Sequence, residues 1–236
     1  MDGFSYTNIF ETKGIEYITI IFFFLILIPF WLFINRKVKQ PAFIEKAKGF
    51  ITASSLRIPQ GVFFSKYHTW AHLEKNGEAR VGLDDLLIHI TGDVKITQVK
   101  QPGEKIKKGE LLARIGYNGN TLKILSPVSG IVQETNAALS ENPGVIKDDP
   151  YNLGWIYSLQ PTNWKEDTNS CYLAEDASNW AVRELERFKD FLAVSTAKLT
   201  PEPMGVMLQD GGEIVEKPLE KFPKEIWDDF QKNFLS

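Results

Sequence analysis

"RIGYNGNTLKILSPVSG", residues 114–130, is the stretch from which the rest of the chain can be placed. Strand-like runs flank Asn118-Gly119, a dipeptide that favours the tight turns of β-hairpins. The pattern predicts a hairpin with its tip at Asn118-Gly119-Asn120, followed by a strand entered through Ser126-Pro127-Val128-Ser129-Gly130. On either side, "GDVKITQVKQPGEKIKKGELLARI" (92–115) and "SGIVQETNAALSENPGVIKDDPYNLGWIYSLQ" (129–160) each run Gly, short strand, polar turn, second strand. Short strands punctuated by Gly and Pro at this spacing suggest a compact all-β sandwich or barrel built from two similar halves.

Upstream, "GVFFSKYHTWAHLEKNGEARVGL" (61–83) alternates in the β manner around Asn76-Gly77, and "DDLLIHI" (84–90) suits one or two helical turns. Downstream, "AEDASNWAVRELERFKDFLAV" (174–194) places Ala177, Ala181, Leu185, Phe188 and Leu192 at steps of three and four, which predicts an amphipathic helix. The last thirty or so residues carry Pro201, Pro203, Pro218, Pro223 and Gly211-Gly212 and are expected to be extended. "PKEIWDDFQKNFL" (223–235) is expected to form a short helix with Ile226, Trp227, Phe230 and Phe234 on one face.

The N-terminus is different in kind. "ITIIFFFLILIPFWLFI" (18–34) has no charge, with Tyr17 and Trp31 near its ends, and suits a transmembrane helix over 15–35. The acidic start "MDGFSYTNIFETKGIE" does not suit a signal peptide. Lys13 precedes the segment, whereas Arg36, Lys37, Lys39, Lys46 and Lys48 follow it. The positive-inside rule then gives a short outer tail (1–14), a juxtamembrane linker (36–60) and a cytoplasmic C-terminal region.

The 236 residues carry a formal net charge of −3, with 43% hydrophobic and 24% charged residues. That composition suits a folded chain and gives no footprint for nucleic acid. Cys171 is the only cysteine, so no intramolecular disulfide and no cysteine metal cluster can form within this chain. His68, His72 and His89 lack supporting carboxylate spacing for zinc. Asp84-Asp85 and Asp148-Asp149 suit turns and caps, and Ser126, Ser129 and "QDGGEI" lack a nucleophile-elbow or phosphate-loop context. The sequence therefore predicts no catalytic residues, no metal and no cofactor.

Four stretches resemble glycine cleavage system H proteins: "YHTWAHLE" (67–74), "VGLDDLLIHITGDV" (81–94), "SPVSG" (126–130) and, most specifically, "DDPYNLGWIYSLQPTNW" (148–164). The resemblance covers roughly residues 62–165 and implies a barrel-sandwich hybrid, the lipoyl-domain architecture, over 61–165. In that family a lipoyl lysine stands seven residues before the Ser of Ser-Pro-Val-Ser-Gly. Here that position is Gly119, the acidic residue three before it is replaced by Gly116, and the nearest lysine is Lys123 on the returning strand.

The expectation is thus a mainly β, H-protein-like domain behind an N-terminal transmembrane helix, with a helical and extended C-terminal extension over 166–236. Its expected role is that of a non-catalytic, non-lipoylated accessory or scaffold subunit in a bacterial inner-membrane complex, such as an electron-transfer assembly. Residues 15–35 would contact the bilayer. Trp180, Phe188, Phe191, Trp227, Phe230 and Phe234 are the candidate contacts to partner subunits, with docking on its own domain the equal alternative for the C-terminal face of Ile226, Trp227, Phe230 and Phe234. The alternatives are a lipoyl-type carrier modified on Lys123, and a membrane-fusion or efflux adaptor. An adaptor requires a long coiled-coil insertion between the halves, and only about a dozen residues stand there.

Overall fold

The computed structural model describes residues 9–34, 49–199, 208–209 and 213–235. The chain divides into two units, residues 1–48 and 49–236. The first contains α1 (Ile9–Ile34), which begins inside the stretch expected to be a tail. Side chains 17–31 are all exposed and almost wholly apolar on every side, with Pro29 within the helix. Helices apolar all round belong in a core or a bilayer. Among the described residues, however, no helix is long and apolar enough to cross a membrane. The α1 side chains described, 17–31, cover about 22 Å against the roughly 30 Å of a hydrocarbon core. The expected transmembrane helix is therefore not established by the structure. Residues 1–8 and the cationic part of the expected linker, 35–48, lie outside the described residues.

The second unit opens with β1 (Phe50–Ile51), β2 (Phe63–Phe64), β3 (Thr69–Leu73), β4 (Ala79–Leu83) and α2 (Asp85–Thr91). Then come β5 (Lys95–Gln98), β6 (Lys105–Ile106), β7 (Leu111–Tyr117), β8 (Asn120–Leu125) and β9 (Gly130–Thr135). Short helices α3 (Ala138–Glu141) and α4 (Val145–Asp148) lead to β10 (Trp155–Pro161) and α5 (Trp164–Thr168). The chain closes with α6 (Glu175–Leu199), β11 (Leu208–Gln209), β12 (Glu213–Val215), a 3-10 turn (Pro218–Lys221) and α7 (Lys224–Asn233).

A six-stranded sheet, β2-β3-β4-β10-β9-β6, accompanies a three-stranded sheet, β5-β7-β8. β6 comes from the first of the two similar halves and β9 from the second, so their pairing interlocks the halves. Alternation along the strands decides what is buried. Val81, Leu83, Val132, Ile156 and Leu159 of the larger sheet and Ile96, Ile115, Leu122 and Ile124 of the smaller belong to one buried cluster.

Turn chemistry fixes the registers. Asn118 and Gly119 have φ of 48° and 88° and Tyr117 pairs with Asn120, the geometry of a two-residue primed turn. The β3–β4 connection is one residue longer. Glu74 N–H donates to Glu78 O, Gly77 N–H donates to Glu74 O, and Gly77 takes the left-handed position at φ 86°. Gly82 is needed for a different reason: a Cβ there would lie 2.7 Å from Trp70 Cζ2, so the absent side chain lets the indole lie against β4. Asp84 caps α2 by accepting from Leu87 N–H at 2.7 Å.

The expected boundaries change at both ends of the domain. Residues 49–60 are not a free linker. β1 pairs with β12 in a third sheet, β1-β12-β11, and Arg57 donates from its backbone N–H, Nε and Nη2 to buried Asp85. At the other end the amphipathic helix runs beyond 174–194 as α6, and α7 is present at 224–233. The expected extended path through Pro201, Pro203 and Gly211-Gly212 lies outside the described residues.

Candidate functional site

The β7–β8 hairpin presents its tip to solvent, with Asn118 and Gly119 both exposed. A Cβ built on Gly119 would meet nothing within 4 Å. The space around this position is open, and its left-handed backbone, φ 88°, favours glycine over any residue with a side chain. Beside the tip is a groove of about 330 Å³, lined by Lys95, Thr97, Arg114, Gly116, Thr121 and the turn residues. Gly116 is inside the hairpin, where a Cβ would come within 3.0 Å of the Asn120 carbonyl oxygen.

Lys123 is exposed on β8. Its backbone is held from the side: Lys123 N–H donates to Gln231 Oε1 at 2.5 Å, and Gln231 Nε2 donates to the Lys123 carbonyl at 3.3 Å. The amide side chain from α7 thus occupies an outer hydrogen-bonding position of β8, as a neighbouring strand would. Lys123 stands on a strand clamped by a helix rather than at a free tip.

A second constellation is buried beneath the C-terminal helices. His68 is wholly buried and left-handed, with φ of 56°. It ends the β2–β3 turn, in which Ser65 N–H donates to Thr69 O and His68 N–H donates to Ser65 O, so it takes the place that Gly77 takes in the next hairpin. Its Nδ1 is 2.8 Å from Asp84 Oδ2. Its Nε2 lies 3.4 Å from Glu184 Oε2 on α6, an ion-pair separation outside hydrogen-bond geometry. The imidazole stacks on Phe234 at 4.8 Å and tilts against Trp180 at 5.2 Å. Burial alone would lower the His68 pKa, but the carboxylates of Asp84 and Glu184 outweigh it and raise the value to about 9. At neutral pH the ring is an imidazolium between two carboxylates. Arg187 extends the group by pairing with Glu184 at 3.1 Å, donating to Phe234 O at 2.6 Å and lying 4.2 Å over the Phe234 ring.

This cluster bonds elements together and offers no reacting atom to solvent. Of the three histidines it contains His68 alone. His72 Nδ1 is 3.0 Å from Gly61 O, and His89 lies between Asp85 at 3.4 Å and Glu216 at 3.6 Å. The three have separate partners, and among the described residues no group of side chains is arranged to hold a metal.

The six aromatics expected at a partner interface are placed otherwise. Trp180, Phe188, Trp227, Phe230 and Phe234 are each 3% exposed or less, and Phe191 is half-buried against the same core. Phe188, Phe191, Phe230 and Phe234 meet ring to ring between α6 and the C-terminal segment, with centroids 4.7–6.1 Å apart. Trp227 donates Nε1–H to Leu219 O at 2.9 Å. Trp180 stacks on Tyr172 at 5.1 Å and packs with Phe64 and Trp70. The apolar area of Trp180, Phe188, Trp227, Phe230 and Phe234 is consumed in docking the extension on its own domain, and Phe191 alone of the six keeps part of its ring exposed.

Comparison with known proteins gives this arrangement its lineage. The family model for the glycine cleavage H-protein matches residues 62–184. A probable glycine cleavage system H protein of Pyrococcus abyssi is 31% identical over 125 residues, covering 53% of this chain and 92% of that protein. The chain belongs to the glycine cleavage H-protein family. A glycine cleavage system H protein of Stenotrophomonas maltophilia is 36% identical over 109 residues, covering 46% of this chain and 83% of that one. The crystal structure of a glycine cleavage system H protein from Mycobacterium marinum aligns at 30% identity with a TM-score of 0.42, over 44% of this chain and 87% of that one. The family match supports a mainly β fold of the H-protein type. It runs past residue 165 and ends at Glu184, leaving α1, residues 35–61 and everything after Glu184 outside it.

Proposed function

We propose that this chain is a non-carrying H-protein-family member, a structural subunit held at a membrane by α1. The carrying observation is the hairpin tip. A swinging prosthetic arm needs an amine on an exposed turn, and here Asn118-Gly119 closes the hairpin with no lysine in it. Lys123 is a poor substitute, because it stands within β8 with its backbone held by Gln231 and not on a free turn.

Attachment to a membrane is supported by composition. The described α1 side chains, 17–31, about 22 Å of helix, are exposed and almost wholly apolar on all sides. The cations that follow it favour an outer N-terminus and a cytoplasmic domain. The role as a subunit of a larger assembly, such as an electron-transfer complex, follows from a carrier-type domain that keeps its fold without its reactive group.

The test is mass spectrometry of the full chain, purified from its own membranes in mild detergent. The expected result is the mass of the bare sequence, together with membrane subunits in fixed ratio. A lipoyl increment on Lys123, or a chain that leaves the membrane only as a free monomer, would overturn the proposal.

A further inference from the structure

The outer face of the β5-β7-β8 sheet carries Lys95, Arg114 and Lys123, all exposed. None of the three strands, KITQ, LLARIGY and NTLKIL, contains an acidic residue. No ion pair joins any of the three cations to a carboxylate among the described residues. The arrangement opposes ordinary sheet design, because Arg114 lies directly across from Lys123 and like charges in that position destabilise the pair. Lys95 lies across from Gly116, which has no side chain to screen it, and Thr97 and Thr121 add hydroxyls beside the same groove. In a chain whose net charge is −3, this face is a local concentration of unpaired positive charge.

We propose that the β5-β7-β8 face docks on anionic lipid headgroups of the leaflet to which α1 tethers the chain. The proposal rests on the anchoring reading above. Residues 35–48 join α1 to the domain, and fourteen residues can reach at most about 50 Å, which bounds how far a tethered domain can travel from the surface. Cations near an anionic surface strengthen binding by roughly fivefold each, so three give about a hundredfold, and salt removes the effect. The opposed Arg114 and Lys123 lose their mutual penalty when phosphates lie between them.

The experiment uses the full chain in vesicles of phosphatidylcholine alone or with phosphatidylglycerol. A fluorophore at Thr121→Cys, with Cys171→Ser, reports contact through quenching by nitroxide-labelled headgroups. Quenching is expected only with phosphatidylglycerol, and it should vanish at high salt and in a Lys95→Gln/Arg114→Gln/Lys123→Gln variant. Equal quenching in both lipids, or none, would overturn the proposal. Protection of the label by added polyglutamate, with no quenching by anionic lipid, would also overturn it and assign the face to an acidic protein segment. Flotation at high salt with neutral vesicles reads the anchor separately. Flotation confined to anionic vesicles and abolished by salt would support the face while removing the anchor.

Discussion

The buried imidazolium makes a pH dependence that can be worked out in advance. His68 titrates at an ordinary value of 6.5 when unfolded and at about 9 in the folded chain. A raised pKa means that the folded state holds the proton more tightly, so the stabilisation is fully present below about pH 6.5 and is lost as pH rises through about 9. Two and a half units correspond to about 3 kcal/mol. The groups responsible are Asp84 at the start of α2 and Glu184 on α6, with Arg187 holding Glu184 in place. Denaturant unfolding of the full chain in mild detergent, followed by tryptophan fluorescence, should therefore show stability falling between pH 6 and pH 10, with His68 contributing about 3 kcal/mol of the fall. Trp180 lies against the ring and reports on the same place. A His68→Gln variant should be less stable at pH 6 and should lose about 3 kcal/mol less across that range, keeping only the slope that Cys171, Tyr151 and Tyr157 add near its alkaline end, since burial raises their pKa values as well. If the wild type and His68→Gln show the same slope, the ring does not carry its proton into the fold, and the account of how α6 is held fails.

Three further outcomes follow from particular contacts. Arg57→Ala leaves the Asp85 carboxylate, 1% exposed, without its main cation, and should cost about 2 kcal/mol in thermal unfolding; this is below the value for a fully buried pair because Arg57 is itself 43% exposed. Gly82→Ala forces a Cβ into the indole of Trp70 and should destabilise by about 1–3 kcal/mol, measured by the same unfolding assay. Gln231→Ala removes both bonds to the Lys123 backbone. It should cost about 1 kcal/mol and speed hydrogen exchange of the Lys123 amide, while the Ile115 amide inside the hairpin stays protected.

How much of this was legible depends on the range of the physics involved. Asn118-Gly119 and the Asp84 cap are decided within three or four residues, so their chemistry can be read directly. The amphipathic spacing of α6 is equally local, and it shows that an apolar face exists without showing what covers it. That is why the sequence leaves a partner and the chain's own domain both open for Phe230 and Phe234, which pack with Phe188 in the structure. His68 is harder still. Its left-handed backbone has no glycine to announce it, and its partners come from residues 84, 184 and 234. The Arg57–Asp85 pair likewise joins a stretch expected to be a linker to a helix start, and neither residue alone signals the other. Gln231 against Lys123 has no sequence signal that we can name.

The continuity of the core sets a limit on where this domain can be cut. Leu122 and Ile124 of β8 share one buried cluster with Ile226, Trp227 and Phe230 of α7. A gene fragment ending at residue 184, where the family match stops, would encode the hairpin with that flank uncovered and Glu184 without Arg187. Such a fragment would expose an apolar flank of β8 that Ile226, Trp227 and Phe230 share a core with in the intact chain. Domain and extension therefore fold as one cooperative unit, and a cut between them divides a single core.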